Sequence, residues 1–165
     1  MQIIYFDTCS LRNIEALKNF ENINFYPLLS KFRIGITSEL EFEYKHFKLD
    51  LKQINFDFYT KIKQQEIEEY KERYHIAEFD NADVSLFIMG KRDGSTIITD
   101  DRPLFFQGLA CQLDIFLFPN FLLAMVDRGF LKKNTFFKCY RYWEKIGRYN
   151  KPILKELKQQ FHSIS

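Results

Sequence analysis

Glycine and proline are scarce, six and four in 165 residues, and no low-complexity tract, internal repeat or linker breaks the chain. Cysteine is scarcer still. Cys9, Cys111 and Cys139 are odd in number, widely spaced and free of any CxxC or Cys/His pattern, which argues against a disulfide framework or a structural zinc site and predicts a reducing, cytoplasmic setting. No run approaches 18 consecutive apolar residues, and no basic stretch followed by a long apolar one opens the chain. Neither a membrane span nor a secretory signal is therefore expected. Charge of one sign is missing as well, the net being +2.

What is present is apolar and aromatic. Hydrophobic residues make up 46% of the chain and aromatics 18%, with 19 Phe and 9 Tyr, enough for one domain spanning 1–165 with a core of large rings. The small net charge is unevenly placed. Asp127 to Lys158 carries ten Lys/Arg against three acids, while Asp57 to Asp83 carries eight acids against four bases, so any polyanion footprint is local. The basic end interleaves Phe136, Phe137, Tyr140, Tyr142, Trp143 and Tyr149 with Arg and Lys. That pattern suits stacking on single-stranded RNA or packing in a core equally well.

Two apolar runs, Ile3 to Phe6 and Ile97 to Ile98, read as buried strands ending at Asp7 and at Thr99, Asp100 and Asp101. Thr8 or Ser10 is the expected cap of a helix through Leu17, followed by a short helix over 21–32 and a strand from Phe32 to Ile36. Thr37 or Ser38 then caps a helix from Glu39 to Phe47. The alternation over 54–59 predicts a short strand or extended connection, and a polar surface helix follows from Lys61 to Tyr74. Asp80 is placed to cap a helix closed by Gly94. A helix from Pro103 to Gln112, a strand over 114–118, a helix from Pro119 to Gly129 and two C-terminal helices over about 134–162 complete the chain. This rhythm predicts an α/β fold, a three-layer α/β/α sandwich with a mainly parallel sheet.

In such a fold Asp7, Asp83, Asp101 and either Glu39 or Glu43 fall at strand ends or in helices that share one edge of the sheet. Carboxylates gathered there repel one another and raise each other's pKa unless a cation compensates them. With oxygen ligands only, and no His or Cys at matching positions, Mg²⁺ or Mn²⁺ is favoured over Zn²⁺. Such ions serve phosphoryl chemistry by activating water and neutralising charge, so hydrolysis of a phosphodiester is the expected reaction. Thr99 is placed to orient Asp101 or a water. Arg12, Arg102 and Lys45 are close enough in sequence to these acids to meet phosphate.

The stretches IIYFDTCSL, ITSELEFEY and DVSLFIMGKRDGSTIITDD, together with the tail GFLKKNTFFKCYRYWEKIGRYNKPILKEL, resemble the PIN domain, including the VapC-type toxin nucleases. The resemblance spans the chain. It implies a metal-dependent endoribonuclease, with Asp7, Asp83 and Asp101 matching the family's acids, Thr99 and Asp101 forming its T-x-D pair, and Glu43 chosen over Glu39 because Leu40 stands three positions before it. It makes Asp100 an auxiliary metal ligand or supporting group. A homodimer and, for the toxin branch, a small antitoxin that blocks the site are also implied. The alternative is a catalytically silent PIN-like module that binds RNA or protein without cutting.

Overall fold

The structure is a computed structural model and describes residues 2–164. Its elements run β1 (Ile3–Phe6), α1 (Thr8–Glu21), α2 (Tyr26–Leu29), β2 (Arg33–Thr37), α3 (Ser38–His46), β3 (Phe58–Thr60), α4 (Gln64–Tyr74) and α5 (Asn81–Asp93). They continue with β4 (Thr96–Thr99), α6 (Arg102–Ala110), β5 (Ile115–Leu117), α7 (Phe118–Asp127), α8 (Lys133–Ile146) and α9 (Lys151–Ser163). The five strands form one sheet in the order β3-β2-β1-β4-β5, with every pairing parallel. Helices cover it as a three-layer α/β/α sandwich, and the sheet is wholly rather than mainly parallel.

The central strands are apolar on both sides because both faces are covered. Tyr5, Ile97 and Ile98 are fully buried. Gly35 in β2 makes room for its neighbour: a Cβ there would stand 2.2 Å from the Tyr5 ring. From β1 the chain moves through α1 to β2, and from β3 through α5 to β4, in opposite directions across the sheet. Right-handed crossovers therefore put α1 and α5 on opposite faces. α7 and α8 pack with α1's face, and α6 follows α5 over β4 and β5.

The turn from leftward to rightward winding leaves β1 and β4 side by side at the switch point, where open parallel sheets present a crevice beyond their C-terminal ends. Asp7 extends β1 into that crevice, its N–H donating to the Ile98 carbonyl at 2.9 Å. α5 runs back against the strands, so its first turn, with Asp83, lies at the same edge.

Several local expectations shift. Asp7, and neither Thr8 nor Ser10, caps α1: its backbone is extended (φ −72°, ψ 165°) and its carboxylate accepts the Ser10 N–H. Asn22, left-handed at φ 53°, ends α1, and the helix expected over 21–32 shrinks to the four residues of α2. Only the end of the 54–59 alternation forms a strand, Phe58–Thr60, paired with Gly35 to Thr37 of β2. α4 begins three residues later than expected, at Gln64. Thr37 caps α3, and Asp80 and Gly94 bound α5 as expected. Phe136, Tyr140, Tyr142 and Trp143 are buried, leaving Phe137 as the exposed ring of α8, so most of the aromatic interleaving is core.

Candidate metal centre

Three neighbours fix Asp7, which is only 3% exposed. Its Oδ1 accepts the Ser10 N–H at 2.6 Å. Its Oδ2 accepts the Thr99 hydroxyl at 2.5 Å and the Asp100 N–H at 3.0 Å. Burial nevertheless dominates and pushes its carboxyl up to about 6, with the charge of Asp100 adding to the shift. Thr99 works in both directions, since its hydroxyl also accepts the Asp101 N–H at 2.9 Å. It thereby ties the ends of two neighbouring strands together.

Asp101 caps α6, accepting the Leu104 N–H at 2.7 Å, and Asp80 caps α5 through the Asp83 N–H at 2.9 Å. Asp83 itself is different. No donor among the described residues reaches its carboxylate, and burial, then the charges of Asp80, Asp7, Asp101 and Glu43, push it up to about 8. Their charges reach Asp83 because all of them lie at this edge of the sheet.

Glu43 joins them from α3, held by the Thr8 hydroxyl. Its carboxyl is also raised, by burial and then by Asp80, with His46 and Arg12 opposing. The next residue anchors the helix: the buried Tyr44 hydroxyl donates to the Phe6 carbonyl at 2.5 Å. Glu39 lies on the same helical face, bonded to the Ser38 hydroxyl at 2.8 Å, and lines with Glu43 and Asp80 a hollow of about 400 Å³.

Asp100 is the exception among the acids. Its side chain, 3% exposed, accepts Asn13 Nδ2 at 2.9 Å, the Tyr149 hydroxyl at 2.8 Å, and Arg148 Nε and Nη2 at 3.3 and 2.9 Å. Asn13 in turn accepts the Trp143 indole N–H at 3.0 Å. Both Asp100 oxygens are thus committed to a latch between β4, α1 and the α8–α9 turn, which leaves it a supporting group rather than a free ligand. Its backbone N–H still holds Asp7.

The flanking cations differ from one another. Arg12 stacks over the Phe47 ring at 4.9 Å and lies near enough to lower the Glu43 pKa. Arg102 opens α6, exposed and with no ion-pair partner among the described residues. Lys45 is tied to Glu41 at 2.7 Å and turns its charge to that pair.

The donor chemistry suits a hard cation: oxygen ligands alone, Asp7 buried and the others half-buried, mutually repelling and with Asp83 undonated. Among the described residues, no three His, Cys, Asp or Glu side chains stand close enough to hold an ion as they are. Mg²⁺ keeps several waters and takes one or two carboxylates directly, so a charged crevice of this kind fits it through water-bridged as well as direct contacts. Asp7, Asp83, Asp101 and Glu43 are the residues that would hold it.

Three participants carry no local sequence signal. Asp80 caps a helix like many aspartates, and only its place beside Asp83 at the crevice makes it part of the charge cluster. Thr8 and the Asn13–Asp100–Arg148–Tyr149 latch join residues 35 to 136 positions apart. No family model matches this chain, and no curated protein matches it in sequence.

Proposed function

We propose that this chain is a metal-dependent endoribonuclease of the PIN type, hydrolysing RNA phosphodiester bonds with Mg²⁺ or Mn²⁺ held by Asp7, Glu43, Asp83 and Asp101. The observation that carries the reading is Asp83, half-buried, with no donor among the described residues to its carboxylate, and pushed up to about 8 by burial and the charges of four other acids. A carboxylate left in that state is costly unless a cation completes it.

When bound, the ion supplies activation of water and neutralisation of charge on the phosphoryl group. The chain's own part is positional. Thr99, the Ser10 N–H and the Asp100 N–H orient Asp7, the Leu104 N–H fixes Asp101, and the Thr8 hydroxyl aims Glu43. To hold the ion Asp83 would have to be deprotonated, so activity should rise with pH as its carboxyl loses its proton. No side chain has to act as a nucleophile. A toxin role with an antitoxin partner, and a homodimer, enter on the sequence resemblance alone.

The test is cleavage of single-stranded RNA with Mn²⁺ or Mg²⁺, then with chelator. Chelation stops the reaction, and Asp7→Asn or Asp101→Asn lowers it at least about hundredfold. Glu43→Gln removes activity while Glu39→Gln keeps it. Cutting that survives chelation, or is indifferent to Asp7→Asn, excludes the mechanism. A second reading, a silent PIN-like module that binds RNA or protein, is favoured by the lack of any three ligand side chains at metal-binding spacing among the described residues. Tight RNA binding without cutting in either metal would select it.

A further inference from the structure

We propose that the hollow between the start of α6 and the α8–α9 turn seats a backbone phosphate of the RNA, the one next to the phosphodiester that is cut. The inference rests on the hydrolytic reading above and adds where the strand lies. The hollow, of about 550 Å³, is lined among others by Cys9, Asp100, Arg102, Arg148 and Tyr149. Cys9 lies two residues after Asp7 and Arg102 directly follows Asp101, so the hollow opens beside two of the four acids.

Its two arginines are prepared in different ways. Arg148 is held in place, with Nε and Nη2 on Asp100 and Nη2 also on the Cys9 carbonyl at 3.2 Å. Its Nη1 has no acceptor among the described residues. A guanidinium fixed in advance loses little further freedom on meeting phosphate, and the two N–H groups of Nη1 are left to donate to a phosphate oxygen. Arg102 has no carboxylate partner among the described residues and contributes an uncompensated charge.

The opposite flank of the centre has the other sign. There the hollow of about 400 Å³ is lined by Glu39, Glu43 and Asp80, which repel a phosphate. A polyanionic strand therefore reaches the acids from the arginine side, with its flanking phosphate between Arg102 and Arg148 and the scissile one over Asp7 and Asp101.

The experiment is a fluorescence-anisotropy titration of a short single-stranded RNA across a salt series, on full-length protein carrying Asp101→Asn to prevent cutting. Adding Arg102→Ala weakens binding about tenfold and lowers the salt slope by about 0.7 for the lost phosphate contact. Arg148→Ala does the same where thermal melting shows that the fold survives, while Lys138→Ala on α8 changes neither quantity. Affinity and slope unchanged by Arg102→Ala, or lowered equally by Lys138→Ala, overturn the subsite. If unsubstituted protein cuts RNA with metal while the arginine variants bind normally, the subsite falls and the hydrolytic reading stands. If that protein neither binds nor cuts RNA, both fall.

Discussion

Asp83 and Asp100 lie at the same edge of the sheet and are treated in opposite ways. Asp100 is nearly sealed from water yet accepts from three side chains, Asn13, Arg148 and Tyr149. Asp83 is half-buried, meets no donor among the described residues, and lies within the field of four other acids. A chain that can satisfy one carboxylate so fully has the means to satisfy both. The difference marks the Asp100 region as structural, a latch that binds the C-terminal helices to β4. The Asp83 region is left without such partners, which is where the proposed cation would enter.

Breaking the latch has the largest expected effect on stability. Asp100→Ala strands a partly buried guanidinium, together with Tyr149 and Asn13, and costs about 3 kcal/mol by denaturant titration. Burial pushes the Tyr149 hydroxyl up, so it stays protonated and keeps donating throughout the physiological range. The latch is insensitive to pH from that side.

Relieving the centre works in the other direction. Asp83→Asn stabilises the metal-free protein by roughly 2 kcal/mol. The sign follows from a folded pKa of about 8 against an ordinary value of 3.8. Between these values the folded state binds the extra proton, so the stability of the unsubstituted protein falls as pH rises and levels off above about 8. The gain from Asp83→Asn is accordingly absent below about pH 4 and complete in the alkaline range. Equal gains at both ends would contradict the assignment. The smallest effect is expected from Lys45→Ala, which loses only an exposed i, i+4 pair with Glu41 and shifts stability by no more than about 0.5 kcal/mol.

Sequence reasoning reached the strands and their acidic ends because each apolar run stops at a polar residue, and it reached α5 because Asp80 and Gly94 punctuate both of its ends. It misplaced the cap of α1. Thr8 and Ser10 are good capping residues, but Asp7, one step earlier, has both the extended backbone and the nearby Ser10 N–H. Thr8 is instead turned to Glu43. The rings of α8 were ambiguous because helical spacing alone does not say which stripe meets α1 and α7. Packing buries Phe136, Tyr140, Tyr142 and Trp143. The latch was out of reach, since Asp100 meets Arg148 across 48 residues and Asn13 across 87, separations no local pattern encodes.

Thermal unfolding of the unsubstituted protein and of Asp83→Asn, each with and without Mn²⁺, separates an open centre from a merely strained one without any assumption about substrate. At about a hundred times the dissociation constant, an ion bound only by the folded state adds about 2.7 kcal/mol, or about 5–10 °C for a chain of this size. The unsubstituted protein should show that rise and Asp83→Asn should lose most of it. No rise in the unsubstituted protein, or an equal rise in both, would contradict a cation site built on Asp83.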